Sequence, residues 1–229
     1  MELSSLHILN SLRQRGFWES VQKIHRRLIP LAIFDFDIFL ISTFDFDRAE
    51  QKSDDAIKLR WAGQDEIDVL VSGGLDRQKI ESFFAQGARV AVAELSGQVI
   101  GYQWVALETW AIYNWLCISI DPNSMWFTTA FVAPDFRGHD ISPKLKTFVF
   151  QSLGAEGMDE AWALVQFLNR SSIAALSKVG LRVVEKFVYL RLLGLTAVKI
   201  GPRWQAGFWR ASNRLVVPVE MFKDVPSTD

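Results

Sequence analysis

The chain has 229 residues, 49% hydrophobic and 13% aromatic, which is enough apolar matter for one sizeable core and too much for a disordered chain. A formal net charge of −1 argues against a broad nucleic-acid surface, and no nucleic-acid partner is expected. The single cysteine, Cys117, excludes an internal disulfide, and its setting in NWLCISI reads as a small buried hydrophobe.

The N-terminal stretch MELSSLHILNSLRQRG has no apolar run ahead of a small-residue cleavage site, so no leader peptide is read there. The nearly chargeless stretch from Leu95 to Pro134 is broken by SGQ and DPNS, leaving no apolar segment of about 18 residues to span a bilayer. A soluble, cytoplasmic protein is expected. From Ser11 to Pro30 five basic residues accompany one acidic residue, with apolar residues at helical spacing. That helix is read as a packing helix with a solvated face in preference to peripheral membrane contact. Next comes IFDFDIFLISTFDFD, in which FDFD occurs twice. Its alternation predicts an edge strand or hairpin with Asp35, Asp37, Asp45 and Asp47 solvated. No histidine accompanies these carboxylates, so no metal site is assigned.

From Ala56 onward the pattern is regular. AIKLRWA predicts a strand, DEIDVLVS and DRQKIESFFAQG predict helices, and Gly87 closes the second of them. ARVAVAEL and VIGYQWVALE flank the turn SGQ as a hairpin. WAIYNWLCISI is read as an extension of that hairpin or a further strand, and MWFTTAFVAP as a strand. SPKLKTFVFQSLGAEG follows as a helix opened by Ser142 and Pro143. The series ends with the strand EAWALVQFL, the helix RSSIAALSKVG and strand pairing through LRVVEKFVYLRLLGL. The fold class is therefore α/β (α+β), a mixed and mostly antiparallel sheet flanked by helices. The expected division is an N-terminal extension over 1–50, a domain over 51–200 and a tail over 201–229 packing on or beside it.

Two segments carry chemistry. In FVAPDFRGHDISPKL a strand crosses a polar turn into a helix start, which gathers unpaired N–H groups and the positive helix end at one point. Arg137 offers charge there, and Gly138 allows close backbone approach. In NRSSIAALSKVGL, Asn169 ends a strand and Gly180 stops the following helix. Together the two segments resemble the GNAT superfamily of N-acyltransferases. That family's Arg/Gln-x-x-Gly-x-Gly/Ala loop is matched by Arg137-Gly-His-Asp140-Ile-Ser142, and its Asn-x-x-Ser/Ala motif with a downstream Gly-Phe/Leu by Asn169, Ser172, Gly180 and Leu181. The resemblance covers residues 56–195.

The resemblance implies acetyl-CoA or another acyl-CoA as co-substrate, no metal, and an amine-bearing small molecule or peptide as acceptor. It implies that the strand Trp126–Val132 diverges from the strand Glu160–Leu168. The pantetheine arm would pair near Ala130, Phe131 and Val132, with Asn169 hydrogen-bonding beside it. The pyrophosphate would sit on the amides of Gly138, His139, Asp140, Ile141 and Ser142. The amine would attack the thioester directly. Two departures bear on activity. Asp140 stands where the family has glycine, and a carboxylate near 4 Å from a phosphate costs roughly 1 kcal/mol in water. Leu176 takes the position of the family's tyrosine general acid. For the base, Glu108 is the first candidate, because burial at a strand end would raise its pKa toward a useful range; Tyr113 is a further catalytic candidate. The alternative expectation is a catalytically silent GNAT-like module that binds or senses a ligand.

Overall fold

A computed structural model describes residues 34–45, 56–72 and 75–223. The basic helix expected over 11–30 and the carboxylate Asp47 lie outside the described residues. In chain order the elements are β1 (Phe34–Asp45), β2 (Lys58–Ala62), α1 (Ile67–Ser72), α2 (Arg77–Ala85), β3 (Arg89–Leu95), β4 (Gln98–Ala106), β5 (Thr109–Tyr113), β6 (Leu116–Ser119), β7 (Ser124–Val132), α3 (Ile141–Gly154), β8 (Glu160–Gln166), α4 (Arg170–Ser177), β9 (Arg182–Leu192), β10 (Leu195–Ile200), β11 (Arg203–Gly207) and β12 (Leu215–Pro218). Nine strands form one sheet in the order β11-β10-β9-β1-β8-β7-β4-β3-β2, and β12-β6-β5 form a second, smaller sheet. Every pairing in the large sheet is antiparallel except β7 with β8. The mixed, mostly antiparallel fold class expected from the sequence is the one observed.

Local chemistry explains several boundaries. The β3–β4 hairpin turns through Ser96 and Gly97, both at positive φ (51° and 81°), the backbone that matches the right-handed twist of the flanking strands. Helix α2 begins where the Asp76 carboxylate accepts the Lys79 N–H at 3.2 Å. On α3 the apolar residues Ile141, Leu145, Val149 and Leu153 recur every fourth position and are all buried. They pack on one face of the sheet with Leu176, Val179 and Leu181. The opposite face is covered by α1, α2 and the small sheet, through Leu70, Ile80, Phe83, Trp110, Leu116 and Val217 around Trp104. Trp104, Trp110, Trp115, Trp126 and Trp162 are all buried core.

The sharpest departure from expectation is β1. It is not an edge strand: it runs between β8 and β9, antiparallel to both, with Phe39 opposite Gln166 on one side and Phe187 on the other. The carboxylates of the first FDFD are accordingly not both on a solvated face: Asp37 is buried and Asp35 partly buried. Asp37 is 4% exposed, and its two oxygens accept from the Ile38 N–H and the Gln166 side-chain amide, each at 2.8 Å. Asp35 accepts from the Tyr189 hydroxyl at 2.7 Å. Burial, then the nearby Tyr113 and Asp35, hold that hydroxyl well above the usual tyrosine range, so it stays a donor. Alternating Phe and Asp looks amphipathic in isolation, but neighbouring strands supply polar partners on both sides. The central IFLIS of β1, apolar without alternation, is the local sign of a strand covered on both faces.

It follows that residue 50 is not an architectural boundary: a strand from the expected extension completes the sheet of the expected domain. The tail is integral as well. β11 prolongs the large sheet and β12 pairs in parallel with β6. Past β12, Lys223 reaches Asp121 at 2.9 Å and Glu160 at 2.7 Å, tying the segment after β12 to the start of β8. WAIYNWLCISI becomes the β5–β6 hairpin of the small sheet and does not extend β4. Among the described residues no helix is long and apolar enough to cross a membrane, and no three His, Cys, Asp or Glu side chains gather as for a metal.

Candidate functional site

β7 and β8 pair only from Ser124 with Glu160 to Phe127 with Ala163. Beyond that point they part. Each keeps a partner on its outer side: β4 pairs with β7 as far as Val132, and β1 pairs with β8 through all seven of its residues. The inner edges, 128–132 and 164–166, are left with backbone groups aimed at a gap instead of at a strand. A cleft of about 750 Å³ fills that gap. Its walls include Ala130, Phe131 and Val132 on β7 and Leu164, Val165 and Gln166 on β8. The expected divergence of these strands is therefore present.

At one end of the cleft α3 begins. Its N-cap is Asp140, in left-handed backbone (φ 56°, ψ 24°), so the helix opens one residue before the Ser142 expected from sequence. Asp tolerates that conformation better than most residues. Gly138, at φ 86°, has open space where a Cβ would stand, so its backbone is uncovered toward the cleft. The first turn leaves the amides of Ile141 and Ser142 without an intrahelical acceptor, and Pro143 has no N–H to offer. Gly101 on β4 sets how closely this turn approaches the sheet. A Cβ there would lie 3.0 Å from the Phe131 carbonyl oxygen and 3.1 Å from the Ile141 side chain.

The Asp140 carboxylate turns to Lys178, just beyond α4, at 2.6 Å. Arg137 donates from Nε to the Val132 carbonyl at 3.2 Å, covering the last acceptor of β7. Asn169 caps α4: its Oδ1 accepts the Ser172 N–H at 3.1 Å and the Ser171 hydroxyl at 2.9 Å. Asn169, Arg137, Gly138, Asp140, Ile141 and Ser142 all line the cleft; His139 is exposed and does not. Leu176, at the position of the family's acid, is buried and lines the cleft as an apolar side chain.

The two catalytic candidates read from sequence are not brought there. Glu108 is exposed in the β4–β5 turn, where its carbonyl accepts the Ile120 N–H at 3.0 Å, and it is not a lining residue. The burial that a base role would need is absent: the strand ends two residues earlier and Glu108 is a solvated strand end. Tyr113 belongs to the aromatic cluster on the other face of the sheet, stacked on Trp115 with centroids 5.5 Å apart and edge-on to Tyr189.

Sequence reasoning missed Lys146, Gln103 and Lys178, which also line the cleft. Lys146 was discoverable: it falls on the buried stripe of α3, four residues before Phe150, where a charge is out of place. Burial brings its ammonium down to about 8. Among the described residues, three cationic side chains, Arg137, Lys146 and Lys178, thus share the cleft wall with one anionic side chain, Asp140.

No family model and no curated protein matches the sequence. Solved structures do match its fold. A conserved protein of unknown function from Staphylococcus epidermidis superposes with a TM-score of 0.52 at 10% identity, over 75% of this chain and 66% of that one. A Novosphingobium aromaticivorans protein assigned to the GNAT acetyltransferases gives 0.50 at 13% identity, over 67% and 63%. An acetyltransferase of the GNAT family from Colwellia psychrerythraea gives 0.50 at 13% identity, over 69% and 56%. The chain spans less than two thirds of each of these neighbours. With the sheet and the diverging strands described above, these likenesses make the chain a divergent example of the GNAT fold.

Proposed function

We propose that the chain is an acyl-CoA-dependent N-acyltransferase, in its simplest form transferring acetyl to an amine. The observation that carries this reading is the gap between β7 and β8, which opens onto the start of α3. An extended, amide-bearing arm satisfies unpaired strand edges as a neighbouring strand would, and its phosphates meet the uncovered amides of a helix start.

In the reaction, the lone pair of a neutral amine attacks the thioester carbonyl, an N–C bond forms and the C–S bond breaks. The proton lost by nitrogen ends on the departing thiolate or on water. The chain's own residues would hold the arm along 130–132, receive the diphosphate at 138–142 and keep the walls apolar through Leu176 and Val165. Gln166, anchored on the buried Asp37, would stiffen the far rim. Asp140 is the only carboxylate among the described lining residues, which include no histidine or cysteine. Proton removal is therefore assigned to ordered water or to the acceptor's own basicity.

The lack of a histidine or cysteine base among the described lining residues, with Leu176 at the acid position, favours a second reading: a GNAT-like module that binds the coenzyme without turning it over. One experiment separates them. Calorimetric titration with CoA and acetyl-CoA, followed by thiol release from acetyl-CoA in the presence of a panel of polyamines, aminosugars and lysine peptides, should show binding and acceptor-dependent turnover. Binding with no release above background for any acceptor leaves the silent module; no binding of either ligand up to millimolar concentration overturns both.

A further inference from the structure

Lys146 is the feature of the cleft that neither the backbone cradle nor the strand gap requires. It is 4% exposed, and desolvation alone accounts for the lowering of its ammonium. Its Nζ donates to the Ser142 hydroxyl at 2.6 Å, one turn back along α3, as expected of helical side chains, which lean toward the helix start. An ammonium has three donors, and this one has a single hydroxyl as its hydrogen-bond partner, with no carboxylate in ion-pairing distance among the described residues. A buried charge of that kind is ordinarily paired.

The wall beside it is unfinished in the same sense. Gln103 is 1% exposed and spends its side-chain N–H on the Trp104 carbonyl at 2.8 Å, leaving Oε1 buried without a partner. The Thr128 hydroxyl is also buried and unpartnered. Both residues line the cleft. Two of the six buried side-chain polar atoms that lack a partner among the described residues thus border this one cleft, a place where a ligand can supply the partner.

We propose that Lys146 is the cation of an anion subsite inside the cleft, seated to take a diphosphate group. The assignment to a diphosphate in preference to an acyl-chain carboxylate rests on direction. Nζ reaches back to Ser142, in the turn that presents the Ile141 and Ser142 amides, and not onward to where the strands rejoin at Phe127 and Ala163. Because Asp140 is paired with Lys178, Lys146 adds a positive charge beside the turn that no carboxylate there takes up. The inference deepens the acyl-CoA reading and rests on it for the identity of the diphosphate's carrier.

The test is isothermal titration of the wild type, Lys146→Gln and Lys146→Arg with three probes: CoA, pantetheine (the same arm without a diphosphate) and inorganic pyrophosphate. The expected result is a loss of roughly tenfold or more in CoA affinity for Lys146→Gln, with pantetheine unchanged and a smaller loss for Lys146→Arg. Near-UV circular dichroism checks that each variant keeps its packing. Equal CoA affinity in wild type and Lys146→Gln overturns the subsite, as do equal losses for CoA and pantetheine, which would place Lys146 on the arm. If the wild type binds pyrophosphate through Lys146 but not CoA, the subsite stands and the coenzyme reading falls. If it binds none of the three probes, both fall.

Discussion

The carboxylate of Asp140 lies 2.6 Å from the ammonium of Lys178, with both side chains more than half exposed (55% and 57%). The pair joins the cap of α3 to the end of α4, both residues lining the cleft, and directs the acid of this turn at a cation. The charge is present but directed at a partner. An exposed pair of this kind adds at most about 1 kcal/mol to stability, so its importance lies in the local field.

Replacing Asp140 with Gly should therefore tighten CoA binding, by roughly three- to tenfold, because it removes a like charge and relaxes left-handed backbone. Replacing Lys178 with Met should weaken binding by a similar factor, since it exposes the carboxylate to the diphosphate. Titration calorimetry at low salt reads both. Unchanged affinity in Asp140→Gly would mean that Lys178 neutralises the acid completely.

Glu108→Gln is expected to leave turnover within about twofold of wild type, since the residue sits in an exposed turn away from the cleft. Initial rates of thiol release decide it. A large fall in kcat would return Glu108 to the role its sequence setting first gave it.

Lys146 makes stability depend on pH. Its ammonium titrates at about 8 in the folded chain against 10.5 ordinarily. Below pH 8 both folded and unfolded chains hold the proton, and the full burial penalty of about 3 kcal/mol applies. Between about 8 and 10.5 the unfolded chain binds more protons than the folded one, so the Lys146 contribution becomes less unfavourable as pH rises. The charged groups sharing its surroundings are Lys144 on α3, Arg137 and Asp140 in the preceding turn and Lys178 beyond α4. Lys146→Met should be more stable than wild type at pH 7, with an advantage that shrinks toward pH 10, measured by urea denaturation across that range. An advantage independent of pH would show that the gain comes from packing instead of charge.

Gly101→Ala places a methyl 3.0 Å from a backbone oxygen of β7, which cannot move without shifting the strand. A destabilisation of about 1–3 kcal/mol is expected, together with weaker CoA binding as α3 is pushed off the sheet. Denaturant midpoints and titration calorimetry test the two halves separately.

Much of this protein was legible in its residues. Period-two and period-four patterns located β3, β4, β7, α3 and β8, the segments around Arg137, Gly138, Asn169 and Gly180 read as strand-turn-helix units, and the GNAT resemblance implied that they share one gap. These features are local: they depend on residues within a turn or two of each other, and backbone sterics and hydrophobic periodicity act over that range. What lay beyond reach was pairing between distant segments. The FDFD strand reads as solvated until Tyr189 and Gln166, more than a hundred residues away, supply its hydrogen bonds. Gln103 on β4 and Lys178 beyond α4 carry no local sign of a shared site and come to one cleft only when the sheet and helices are assembled. Whether a polar side chain is an exposed ornament, a structural partner or an unpaired charge awaiting a ligand is set by what packs over it, and only the tertiary structure decides that.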